Sequence, residues 1–221
     1  MNPWRSLIVS AVFLAVLFSV FAWLLPVLPA RVPTHWNGQG QIDGYMTPWR
    51  ALGTMAGLLA MLAVLTVALP VISPRCYAIA PFAVAYSLIM LAVQGVVFVV
   101  TLGILLNGSG RHLDMPRLAM LAVGVLLMVL GNYMGKLRPN FFAGIRTPWT
   151  LASAAVWERT HRLAGWVYVL AGAALIVFGL AGAVAGWMLM SVVLAAALIP
   201  VAYSYFSYQR LEGHHSSEGD T

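Results

Sequence analysis

The sequence predicts an all-α fold: a polytopic integral membrane bundle of about six transmembrane helices with an interfacial cytoplasmic helix. Three observations predict it. Hydrophobic residues make up 62% of the chain and charged residues only 8%, with a mean hydropathy of +0.89, a composition outside the range of soluble domains. Apolar runs of about 20 residues, the length needed to cross about 30 Å of hydrocarbon at 1.5 Å per residue, recur six times. The polar residues gather in two islands, Arg31 to Arg50 and Arg138 to His161.

The spans are expected at about 7–28, 51–72, 77–106, 118–134, 163–183 and 187–208, as one transmembrane domain over 1–208. The first exceeds the roughly 7 to 15 residues of a signal peptide's apolar region, so it is expected to be a retained helix. Pro26 and Pro29 close it, Pro70 and Pro74 close the second, and Asn107 to Gly110 close the third. Pro81 falls early in the third span, where a missing N–H costs little, whereas Pro200 lies inside the sixth and should kink it. The remainder, 209–221, ends in EGHHSSEGDT and is expected to be a disordered cytoplasmic tail. The single cysteine, Cys76, excludes an internal disulfide and reads as a packing residue near a membrane boundary.

Glycines four apart, Gly53 and Gly57, Gly131 and Gly135, and Gly182 and Gly186, permit close helix packing within the bundle. GYMTPW at Gly44 to Trp49 is echoed by GIRTPW at Gly144 to Trp149. Each reads as a helix start, with Thr47 and Thr147 as N-caps, Pro48 and Pro148 at the first helical position, and Trp49 and Trp149 at the membrane interface.

The net charge of +6 does not point to nucleic acid, because the basic residues lie in loops beside the spans. With the amino terminus inside, the cytoplasmic face holds eight of them, Arg5, Arg75, Lys136, Arg138, Arg146, Arg159, Arg162 and Arg210, against four outside, Arg31, Arg50, Arg111 and Arg117. The positive-inside rule then puts both termini in the cytoplasm, the first island outside and the second inside.

Chemistry has few places to sit. The six spans contain no Asp, Glu, Lys or Arg, which argues against ion-coupled transport. Gln94 and Asn132 are their strongest polar groups and are expected to hydrogen-bond neighbouring helices, while an uncharged permeation path stays open. In the inner island a helix is expected from Pro148 to Arg162, lying at the interface. Ser153, Trp157 and His161 align along it at four-residue spacing, and Glu158 can pair with Arg162 or Arg146. Glu158 and His161 match a Glu-x-x-His metal spacing, but the further carboxylates such a site needs are lacking, so no metal or other cofactor is expected. His112, His214 and His215 read as loop and tail residues without partners. In the outer island His35, Trp36, Asn37 and Asp43 stand among Gly38, Gly40 and Gly44, as either a compact re-entrant cap or a ligand pocket. Ser153, Ser191 and Cys76 lack the setting of a nucleophile. No phosphate-cradling glycine loop with lysine is present. An enzyme is not expected.

The two islands together resemble the SdpI-like family of membrane immunity proteins, which protect cells against a secreted sporulation-delaying toxin. The outer segment carries the resemblance through Pro33, His35, Trp36, Asn37, Gly40, Asp43 and Gly44. The inner one carries it through Pro139, Asn140, Gly144, Arg146, Thr147, Pro148, Trp149, Trp157, His161 and Gly165. The resemblance implies an integral membrane protein whose partners are the lipid bilayer, a secreted peptide toxin and a cytoplasmic transcriptional repressor sequestered at the membrane, with no direct contact to nucleic acid. On that reading His35, Trp36, Asn37 and Asp43 form an extracytoplasmic toxin or ligand site. Asn140, Arg146, Trp149, Trp157, Glu158 and His161 form a cytoplasmic signature, and anionic lipid head groups are a competing partner for the basic inner face. A small-solute permease or channel and a metal-dependent membrane enzyme are the alternatives.

Overall fold

The structure, a computed structural model, describes residues 3–212. The expectations for His214, His215 and the last residues of the tail fall outside the described residues, as does that for the Cys76 side chain. The chain runs α1 (Pro3–Leu24), β1 (Val32–Trp36), β2 (Ile42–Met46), α2 (Pro48–Ile72), α3 (Ala83–Gly108), α4 (Met115–Met134), α5 (Pro148–Ala152), α6 (Ala154–Leu180) and α7 (Gly186–Glu212). Six of these helices, all but α5, are long and apolar enough to cross a membrane. The polytopic all-α expectation is borne out.

Two trios of helices build the bundle. Leu17 and Phe21 of α1, Leu52 and Leu59 of α2 and Leu105 of α3 share one buried cluster. Met120 and Leu127 of α4 and Leu175 of α6 share another, flanked by Leu189 and Val192 of α7. The α3–α4 contact joins the trios.

Within the second trio α4 and α6 approach backbone to backbone. A Cβ on Gly131 would stand 2.6 Å from the Gly165 carbonyl oxygen, and one on Gly172 would stand 2.5 Å from that of Gly124. Glycine therefore recurs every seven residues on both facing helices, and the pairing of 131 with 165 and 124 with 172 makes them antiparallel. Close packing of this kind holds helices together where burial from water supplies no drive. Of the glycine pairs four apart, Gly131 and Gly186 meet neighbours, while Gly53, Gly57, Gly135 and Gly182 face open space.

Several boundaries differ from expectation. The helix expected over Pro148 to Arg162 splits at Ser153, whose backbone is extended (φ −134°, ψ 120°). Only the five-residue α5 stands apart from the spans, and α6 runs unbroken from Ala154 to Leu180. Pro70 lies inside α2, and α7 extends to Glu212, into the expected tail. Pro81 sits in a short 3-10 turn, Ala80–Phe82, ahead of α3. The Gln94 Nε2 donates to Thr66 Oγ1 at 3.3 Å, tying α3 to α2 as expected. Asn132 instead faces outward from α4.

Candidate functional site

The two islands occupy opposite ends of the bundle. The outer one, read as a Gly-rich loop, is an antiparallel hairpin of β1 and β2, with register shifts on either side of His35. Asn37 builds its turn: its Oδ1 accepts from the Gln39 and Gln41 amides at 3.0 and 2.9 Å, and its carbonyl accepts from the Gly40 amide at 2.9 Å. This side-chain mimicry of a turn is what Asn does best. His35 lies opposite Gly44, where a Cβ would stand 2.7 Å from the His35 Cβ. That gap lets the His35 Nδ1 reach Asp43 Oδ1 at 2.5 Å, with the two side chains 71% and 44% exposed.

The hairpin is seated on the bundle at both ends of its first strand. Val32 is buried against Ala51, Ile104 and Met115. At the tip the Gly186 amide donates to the Gly38 carbonyl at 3.0 Å, tying the hairpin to the start of α7. Beneath it Trp36 and Asn37 roof an apolar recess of about 180 Å³ walled by Val100, Met115, Pro116 and Leu189. Of the four outer residues, His35 and Asp43 thus meet at the surface, whereas Trp36 and Asn37 face the recess.

The inner island is built the opposite way. Asn140 is fully buried and saturated: its Nδ2 donates to the Arg138 and Ala143 carbonyls at 2.8 and 3.0 Å. Its Oδ1 accepts from the Phe142 and Ala143 amides at 2.8 and 2.7 Å. Gly144 follows with φ +103°, a left-handed value, and a Cβ there would lie 2.4 Å from His161 Nε2. The chain therefore passes directly over the His161 ring, and the Ile145 amide donates to Nε2 at 3.0 Å. The other ring nitrogen, Nδ1, meets the Trp157 carbonyl at 2.8 Å. One nitrogen accepts and the other donates, which fixes the neutral Nδ1–H tautomer. Trp157 stacks on the same ring with centroids 4.0 Å apart, and its Nε1 donates to the Leu137 carbonyl at 3.0 Å.

Thr147 and Thr150 complete a reciprocal capping box that starts α5. Thr47, its counterpart in the echoed motif, has an extended N-cap backbone but no side-chain cap bond. The Thr147 hydroxyl also bonds Ser204 at 3.1 Å, and Trp149 packs edge-on against Tyr205 at 5.1 Å between centroids, so α5 is fastened to α7. Arg146 is exposed, its guanidinium donating to the Phe141 carbonyl.

Glu158 and His161 do not converge. Glu158 is exposed and paired with Arg162 at 2.8 Å, while His161 is buried with both nitrogens engaged. The Glu-x-x-His spacing is therefore a surface ion pair beside a core histidine, and no group of three or more His, Cys, Asp or Glu comes together among the described residues. Thr150, Ser204 and the carbonyl of Leu137 were not singled out in the sequence. Only the Thr-x-x-Thr spacing at 147 and 150 carried a signal for any of them.

Residues 136–204, from the island through most of α7, match the SdpI/YfhL protein family. This stretch is similar to that family. Residues 12–60, which hold most of α1, the hairpin and the start of α2, match a domain of unknown function, DUF1648. The chain is 32% identical over 117 residues to the Immunity protein SdpI of Bacillus subtilis (strain 168), a match covering 52% of this chain and 56% of that protein. It thus spans little more than half the length of the curated relative it matches. No solved structure matches it significantly. The matched stretch takes in the saturated island and the closely packed α6, and with the similarity to the immunity protein it bears out the resemblance read from the two islands.

Proposed function

We propose that this chain is a non-enzymatic membrane immunity protein that confers resistance to a secreted peptide toxin. In this reading the hairpin end is extracytoplasmic, both termini are cytoplasmic, and the island end holds a cytoplasmic repressor at the membrane when toxin is bound. The observation that carries it is the similarity to the immunity protein, anchored on the stretch that matches the SdpI/YfhL family. The charge layout supports the orientation, with eight of twelve Lys and Arg at the island end.

The geometry supports a division of labour. At the hairpin, His35 and Asp43 stand exposed above an apolar recess, a combination suited to a peptide with both apolar and polar side chains. At the island, the buried Asn140 and His161 spend their hydrogen-bonding capacity on backbone groups, leaving neither free for acid–base work. The test is expression in toxin-sensitive cells that lack their own immunity protein. Survival of toxin treatment is expected, and undiminished killing with the protein present in the membrane refutes the reading.

A further inference from the structure

At the island end, outside the signature residues, side chains of α6 and α7 line a cleft of about 430 Å³: Arg159, Arg162, Leu163, Trp166 and Tyr203. Both arginines are exposed on the opening turns of α6. Trp166 follows Arg159 by seven residues and so lies about 10 Å further along the helix, into the span. It is 69% exposed, and Leu170, one turn deeper, is 65% exposed. The cleft is cationic at its rim and aromatic about two helical turns further along α6, and the exposed Leu170 continues the same helix beyond it. That gradient has the order of the parts of a phospholipid molecule.

We propose that this cleft is a binding site for a phospholipid with an anionic head group. Guanidinium groups bind phosphate oxygens with paired hydrogen bonds, and two of them on one rim repel a head group that carries its own cation. Among the described residues Arg159 has no carboxylate within ion-pair distance, and Glu158 engages only Arg162. That pair is exposed on both sides, so it yields readily to a phosphate. Leu163 and Trp166 from α6 and Tyr203 from α7 give the glycerol and first acyl carbons a wall on each side. The site is independent of the immunity reading and needs neither toxin nor repressor.

The full-length protein, reconstituted into nanodiscs of equimolar phosphatidylglycerol and phosphatidylcholine, is released intact into a mass spectrometer and its retained lipids are counted. The wild type keeps phosphatidylglycerol in excess, and R159Q/R162Q lowers that excess about tenfold. Glu158→Gln, which releases Arg162, raises it, and Arg117→Gln at the other end of the bundle leaves it unchanged. Equal retention of both lipids by the wild type, or an excess that survives R159Q/R162Q, overturns the site. Displacement of the lipid by inorganic phosphate alone also overturns it, in favour of a free-anion site. Where R159Q/R162Q does not reach the membrane, the Glu158→Gln arm decides, since no rise there refutes the proposal.

Discussion

The hairpin and the inner island contain similar residues, each with a histidine, an asparagine, tryptophan and glycine within a short stretch of chain, and they use them in opposite ways. In the hairpin the asparagine shapes the turn, and the histidine is displayed on the surface with an aspartate at 2.5 Å. In the island both residues are buried, and they accept from the Phe142, Ala143 and Ile145 amides, which lie outside any helix or sheet. The difference teaches that a motif can mark architecture as readily as recognition. A loop folded into a bundle's end must find partners for every amide it buries, and Asn140 and His161 are those partners. The hairpin satisfies its backbone by strand pairing and the Asn37 turn, which leaves His35 and Asp43 on its surface.

The largest expected effect tests the island's half of this contrast. Gly144→Ala places a side chain at φ +103° and 2.4 Å from His161 Nε2. A left-handed backbone costs about 1–3 kcal/mol for such a residue, and displacing the ring from the Ile145 amide strands a buried donor at about 1–3 kcal/mol more. A loss of about 3 kcal/mol is expected, read as early thermal unfolding in detergent by size-exclusion after heating. Wild-type stability in this variant would break the comparison, because the island would then not depend on its fit over His161.

Asn140→Ala comes next. It leaves the Phe142 and Ala143 amides without their acceptor, at a cost of about 2 kcal/mol. The same unfolding assay reads the loss, and Asn140→Asp should not recover it, because its second oxygen would face the Arg138 and Ala143 carbonyls in a buried site.

Much of this was legible in the sequence, for physical reasons that also explain what was not. The spans follow from composition, since lipid demands apolar side chains all round a helix. The hairpin did not show, because Pro33 and three glycines between 38 and 44 read as turn formers, and its pairing is supplied by the Val32 and Gly186 anchors. The break at Ser153 was hidden because its neighbours are sound helix formers. The extended residue lets α5 fasten to Ser204 while α6 turns Trp157 and His161 inward. The α4–α6 seam was missed because its glycines repeat at seven, not four, residues. Asn132 was expected inside the bundle on polarity alone, and periodicity in an all-apolar helix gives no inward face to correct that.

The smallest expected effect on stability belongs to the hairpin, and it sharpens the contrast most. His35 and Asp43 form an exposed pair, and pairs of that kind contribute about 0.5 kcal/mol or less. His35→Ala and Asp43→Asn should therefore unfold within a degree or two of the wild type in the detergent assay, because Val32, the Asn37 turn and the Gly38–Gly186 bond still seat the hairpin. In the toxin-survival assay the same variants should fail to protect. Stability kept and protection lost would separate display from architecture. Full protection by both hairpin variants would remove the exposed pair from the recognition surface and leave the recess under Trp36 to account for it.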